Sequence, residues 1–287
     1  MLEQMLSRYQ INSQEQANQA LREVMQEIAL AGLYRGDFFS KAAFYGGTCL
    51  RIFHQLPRFS EDLDFSLLAD EPTFSLTPYF NAIKKEFDAL GIDVTIKQKS
   101  KTTETAIESA FLKNTTQLFD LALTGTHTVN IKIEVDTKPP LGFQTEEKLL
   151  LEPFSFYVKC FSPSDLFAGK LHALLFRKWK NRIKGRDWFD FEWYIRKEVS
   201  LNLDHFNRRA TQSGNMAQPI TKAEFLPLLK NRIAAVDIES ARQDIIRFIR
   251  DADVLDIWSP EYFLALADKL KIIAKETEPD AHAKITP

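Results

Sequence analysis

The sequence predicts an α+β protein: a mixed sheet with flanking helices, followed by a C-terminal α-helical region. Three observations carry that prediction. Segments that alternate apolar and polar residues, as half-buried strands do, end near residue 160. From Ser162 onward, apolar residues recur at helical spacing in one segment after another. Gly46-Gly47, Glu71-Pro72 and Pro139-Pro140 punctuate the first part as turns and stops. The boundary gives an α/β domain with a leading helix at 1–160 and a helical domain at 161–287, the latter contributing to a shared cleft.

In chain order, Leu21, Val24, Met25, Ile28, Ala29 and Leu33 place a helix over Ser13 to Tyr34. A second apolar region ends at Gly46-Gly47, and TCLRIFHQL reads as a short helix starting at Thr48 and ending at Pro57. LDFSLL is a strand, TPYFNAIKKEFDAL an amphipathic helix, and IDVTIKQ the strand after Gly91. TAIESAFL, THTVNIKIEVD and FSFYVKCF complete the expected strands. The helical part then comprises SDLFAGKLHALLFRKWK, RDWFDFEWYIRK, TKAEFLPLLKNRIAAV, IESARQDIIRFIRDA and SPEYFLALADKLKII, the last with Ser259 as N-cap and Pro260 at the first helical position. With 23 Phe and only 10 Gly, the core should be aromatic and the loops short.

Composition narrows the class. Apolar residues at 45% and charged residues at 26% exclude a disordered, collagen-like or rod-like chain. A net charge of -2 excludes a uniformly basic nucleic-acid coat but leaves room for a local patch. RKWKNRIKGR, Arg177 to Arg186, is that patch: six basic residues in ten, around Trp179. It is either an RNA-backbone contact with a stacking ring or a solvated connector. Cys49 and Cys160 are too few for a disulfide framework and fit a reducing compartment. No 18-residue apolar run and no secretory pattern is present, so a cytoplasmic protein with no membrane partner is expected.

The chemistry concentrates around Asp62 and Asp64. Period-2 geometry places both on one strand face, about 6–7 Å apart, with Leu63 and Phe65 on the other. Two carboxylates so placed suit Mg²⁺ or Mn²⁺ bound to substrate phosphates. Alone the pair is weak, since about five acid-x-acid triplets arise by chance in such a composition. Gly46-Gly47-Thr48 lies just upstream, at a helix start whose N–H groups can hold phosphate oxygens. Chance gives the Gly-Gly and acid-x-acid conjunction an expectation of roughly 0.04, so the combination is specific. Lys132, Glu134 and Asp136 share one face of a later strand. Glu134 or Asp136 either completes a three-carboxylate metal site or takes the acceptor proton, or belongs to a plain solvent face. Arg58 and Ser60 either contact phosphate or cap the loop before the aspartates. Lys170 lies in the apolar stretch FAGKLHALLF and needs an acid, a phosphate or a path to solvent. Arg177, seven residues on, shares its helical face, as two cations facing one triphosphate would. His54, His172 and His205 have no metal-ligand spacing, and Cys49 reads as a small apolar filler.

FYGGTCLRIFHQLPRFSEDLDFSL, Phe44 to Leu67, resembles the signature of the AbiEii/AbiGii-type toxins. These are nucleotidyltransferases of the DNA-polymerase-β-like superfamily, found in bacterial toxin–antitoxin and phage-defence systems. The 14 residues between Gly47 and Asp62 are slightly long for the superfamily but similar to this family's form. SPSDLFAGKLHALLFR and GRDWFDFEWYI resemble the family's later motifs, so the likeness runs from about Phe44 to Ile195. It implies a nucleotidyltransferase-like sheet, an NTP substrate and a divalent cation on Asp62 and Asp64. Gly46, Gly47, Thr48 and Lys170 would bind the triphosphate, and Asp187 would reach the active site from the helical half. It also implies a cognate antitoxin and a tRNA 3′-end acceptor. Two rivals stand beside this reading: a nucleotidyltransferase fold that binds NTP or a partner without transfer, and a phosphotransferase to a protein hydroxyl.

Overall fold

The computed structural model describes residues 1–98, 116–123, 130–177 and 183–274. A short helix, α1 (Leu2–Ser7), leads into the long α2 (Gln14–Arg35), whose N-cap Ser13 accepts from the Gln16 amide. Strand β1 (Ala42–Tyr45) runs directly into α3 (Gly46–His54), and β2 (Asp62–Leu67) follows. Helix α4 (Phe80–Asp88) precedes strands β3 (Val94–Gln98), β4 (Thr116–Leu123), β5 (Asn130–Asp136), β6 (Thr145–Leu150) and β7 (Phe156–Phe161). The remainder is mainly helical: α5 (Pro163–Phe176), α6 (Gly185–Arg196), α7 (Leu203–Gln212), α8 (Lys222–Ala234), α9 (Ile238–Ile245) and α10 (Pro260–Ala267). Two residue pairs, β8 (Leu201–Asn202) and β9 (Ile272–Ile273), form a small parallel ribbon within it.

Strands β1 to β7 make one mixed sheet in the order β3-β4-β5-β2-β1-β7-β6. The central strand β2 pairs antiparallel with β1 and parallel with β5, so residues distant in sequence meet at its polar face. The opposite face is apolar: Leu63, Phe65, Ile131, Ile133 and Val135 are buried. Phe65 packs at ring-centroid distances of 5.0 Å from Phe38 and 5.1 Å from Phe44, the aromatic core the composition called for. Helices α2 and α4 cover this face at close range. A Cβ on Gly32 would stand 2.5 Å from the Ile83 Cα, so only glycine allows that approach.

The α+β class is as the sequence predicts, with differences in detail. The helix expected from Thr48 begins at Gly46 and stops at His54, with Gln55 in the left-handed region as its cap. Pro57 lies beyond that cap. The TPYFNAIKKEFDAL segment opens as a 3₁₀ turn over Thr77–Tyr79 before α4. IESARQDIIRFIRDA is helical only to Ile245, followed by a 3₁₀ turn at Ile246–Phe248. SPEYFLALADKLKII likewise ends its helix at Ala267 and re-forms as β9. Strands β1, β4 and β6 and helices α1 and α7 were not expected from the pattern. The TAIESAFL strand and Trp179 lie outside the described residues. Among the described residues no helix is long and apolar enough to cross a membrane.

Candidate active site

Strand β2 presents Asp62 and Asp64 on the same face, because Leu63 and Phe65 between and after them are drawn into the core. Parallel pairing with β5 sets Glu134 directly beside Asp64 and Lys132 beside Asp62. On the other flank Tyr45 of β1 stands beside Asp64. Three carboxylates thus share one patch. Burial, then the charges of Glu134 and Asp62, push the Asp64 carboxyl up to about 7. Asp62 is pushed up as well, by burial and by Glu134.

The Gly-Gly start of α3 closes over this patch. Gly46 has φ of +83°, and a Cβ there would fall 2.2 Å from Asp64 Oδ2, so the carboxylate lies against the bare backbone. Gly47 makes room on its other side: its Cβ would meet Ser60 Oγ and an Arg58 Nη atom, each at 2.8 Å. The Thr48 hydroxyl donates to the Asp62 carbonyl and pins α3 to β2. Asp136 sits one step further along β5, opposite Ser66, where its carboxylate accepts the Lys138 amide.

The helical half supplies the cations. Lys170 of α5 contacts Asp187 at 2.8 Å and Asp190 at 2.7 Å, both on the first turns of α6. Arg177 Nη1 lies 3.6 Å from Asp187. Burial alone would raise the Asp187 carboxyl, but Lys170, Arg177 and Lys184 outweigh it and hold it well below the usual range. The acidic partner that Lys170 requires is therefore a pair of aspartates. Arg58 is in turn 2% exposed and grips Asp190 with two 2.6 Å hydrogen bonds. That guanidinium is a buried strut between the loop before β2 and α6.

Three further cations face the carboxylates. Lys132 contacts Glu134. Lys184, the N-cap of α6, is lowered to about 8 by burial and by its cationic neighbours Arg177, Arg186 and Lys170. Its charge in turn acts on both Asp62 and Asp64. Arg209 of α7 stands 5.9 Å from the Tyr45 ring centre and keeps a buried Nε–H with no acceptor among the described residues. Lys132 was visible as part of an alternating face and Lys184 as part of a basic run, but neither pattern names its partner. Arg209 carries no sequence signal.

Hard oxygen donors and carboxylates crowded enough to resist ionisation fit a divalent cation. In the geometry described, however, no three acidic, histidine or cysteine groups among the described residues converge on one point, and Lys132 holds Glu134. Elsewhere, His172 is bonded to Ser213 and Asn215 at 3.0 Å, and Cys49 and Cys160 are buried free thiols. Burial and the neighbouring Cys160 push the Cys49 thiol well up, as befits packing rather than nucleophilic attack.

The same fold occurs in MenT4, a nucleotidyltransferase toxin from Mycobacterium tuberculosis, with a TM-score of 0.59 at 16% identity. That match covers 93% of this chain and 90% of MenT4. JHP933 from Helicobacter pylori superposes with a TM-score of 0.53 at 16% identity, over 90% of this chain and 92% of its own. No curated protein matches the chain by sequence. The family model described as the nucleotidyl transferase AbiEii toxin, type IV toxin–antitoxin system, matches residues 28–277. With its glycine-started helix over a carboxylate strand, this chain belongs to the AbiEii family of nucleotidyltransferase toxins of type IV toxin–antitoxin systems.

Proposed function

We propose that the chain transfers a nucleoside monophosphate from an NTP to an RNA 3′ end, with tRNA the favoured acceptor. It would do so as the toxin of a phage-defence pair with a cognate antitoxin, inside the cell. The observation that carries this reading is the Asp62, Asp64 and Glu134 patch lying directly against the Gly46-Gly47 start of α3. A helix N-terminus favours the anionic triphosphate, while the carboxylates beside it favour the cation that accompanies it.

In this reading Asp62, Asp64 and Glu134 hold Mg²⁺ or Mn²⁺, with Asp136 next along the same face. When bound, the metal supplies charge neutralisation on the triphosphate. The acceptor hydroxyl attacks the α-phosphorus, the bond to the β-phosphate oxygen breaks, and pyrophosphate leaves. Whichever of Glu134 and Asp136 is not on the metal takes the hydroxyl proton. Backbone N–H groups of Gly46, Gly47 and Thr48 bind phosphate oxygens, with Ser60 alongside. Lys170 and Arg177 reach the triphosphate from the far wall, oriented by Asp187, and Arg58 acts through Asp190 rather than on substrate. The sheet part to residue 160 and the helical part from 161 are the two walls of the cleft.

The test is incubation with Mg²⁺, each α-³²P-labelled NTP in turn, and total bacterial tRNA. Label on tRNA is expected with the native protein and not with Asp64→Asn. Label on a protein instead, or full activity in the variant, overturns the assignment.

A further inference from the structure

The loop that precedes Asp62 is surrounded by arginines that the transfer site does not use. Phe59 and Phe248 are buried side by side, joined by a 2.8 Å hydrogen bond from the Phe59 amide to the Phe248 carbonyl. The Arg186 and Arg247 guanidiniums lie 4.1 Å and 4.7 Å from the Phe248 ring centre. Arg250 lies 5.8 Å from that of Phe59. Arg22 of α2 and Arg186 of α6 both approach Glu61, at 3.7 Å and 3.2 Å, the residue immediately before Asp62. Arg51 also covers Phe59, but its charge is taken by Glu23 at 2.8 Å.

Arg247 and Arg250 are exposed and contact no carboxylate among the described residues. Asp251, next in the chain, accepts the amide of Asp253 in its own loop. The backbone beneath Arg247 is fixed independently of its side chain, because Gln19 Nε2 donates to the Arg247 carbonyl at 2.6 Å. Shared partners link these cations: Arg22 and Arg186 meet at Glu61, Arg186 and Arg247 at the Phe248 ring, and Arg250 covers the adjoining Phe59. Exposed cations seated on separate rings suit the successive phosphates of a nucleic-acid backbone. Guanidiniums held on aromatic rings keep flat faces and several N–H donors available for phosphate oxygens and bases.

We propose that Arg247 and Arg250, held on Phe248 and Phe59 beside the Glu61-paired Arg22 and Arg186, form the docking ridge along which the RNA acceptor's sugar–phosphate backbone runs to Asp62. This rests on the reading that the acceptor is RNA, and it adds where that RNA lies and from which side it enters.

The experiment compares the full-length native protein with Arg247→Ala/Arg250→Ala and Arg247→Lys/Arg250→Lys. Binding of total bacterial tRNA is measured by filter retention over a salt series, and nucleotide transfer is measured alongside. The Ala pair is expected to bind tRNA about tenfold more weakly and to lose about 1.4 to 1.8 from the slope of log K against log salt, two phosphate contacts' worth. The KM for tRNA should rise while the thermal shift produced by Mg²⁺ and NTP stays the same. The Lys pair should recover the slope. If native protein labels tRNA and the Ala pair binds and labels it equally well, the ridge is wrong while the RNA reading stands. If native protein neither binds nor labels tRNA and instead labels a protein, both are wrong. Binding without transfer, weakened in the Ala pair, supports the ridge and overturns the transfer reading alone.

Discussion

His205 is wedged between Phe143 and Phe161, 5.9 Å from each ring centre, with both ring nitrogens buried and without a hydrogen-bond partner among the described residues. Burial, then the charges of Arg209 and Arg208, lowers its pKa from 6.5 to about 3. Between those values the unfolded chain holds a proton that the folded chain refuses. Stability is therefore lost as pH falls below about 6.5 and is fully recovered above it. His205→Phe removes the titration and two unsatisfied polar atoms, so the acid limb should flatten. The thermal midpoint near pH 7 should rise by about 2–4 °C, the effect of about 1 kcal/mol in a chain near this size. Midpoints measured from pH 4 to 8 check this, and a lower midpoint throughout would show that the ring nitrogens find partners after all. At Asp64 the logic runs the other way. A carboxylate buried beside two others is kept for function, so Asp64→Asn should lose transfer without lowering the midpoint in metal-free buffer.

At the scale of elements, α3 depends on glycine at one position. Gly46 combines a left-handed φ with the Asp64 carboxylate where a Cβ would go. Gly46→Ala should displace that carboxylate, abolish transfer and cost about 1–3 kcal/mol of stability. Gly91 has a similar φ of +71° but nothing within 4 Å, so Gly91→Ala should lose some stability and no transfer. Comparing the two by melting and by label transfer separates backbone strain from damage to the site. The Asp-Leu-Asp strand could be read from sequence because alternation is a local property. Strand β6, TEEKLL, could not: its charged residues sit on an edge of the sheet, where polar side chains are tolerated on both faces. Strand β1 was hidden for the opposite reason. Its Ala42, Ala43 and Phe44 are all buried, and a short apolar run shows no period.

Across the whole molecule, the sheet and the helical part are joined by buried charge. Arg58 and Asp190 lie 132 residues apart and are almost fully removed from water. Breaking such a pair from one side leaves the other charge uncompensated. Arg58→Met should cost about 3 kcal/mol, lowering the midpoint by roughly 6–12 °C. Arg58→Met/Asp190→Leu should recover much of that loss, because two apolar side chains of similar volume leave no orphan charge. If the double variant melts no higher than the single one, Asp190 matters through Lys170 rather than through Arg58. Measuring transfer in the same set shows whether the strut also holds Lys170 and Asp187 in place.

The sequence by itself determined the α+β class, a short helix just after β1 (read from Thr48, two residues late) and the pairing of Asp62 with Asp64 on one face. Each follows from spacing along a few consecutive residues, where strand and helix periods act. Only the tertiary structure decided that Glu134 stands beside Asp64 and that Lys170 is met by Asp187 and Asp190. It alone withdrew Arg58 into the interior, brought Arg209 to Tyr45 and Asp136, and set Arg247 and Arg250 on Phe248 and Phe59. Those relations depend on strand order and helix packing, which bring together residues whose separation in the chain carries no period to read.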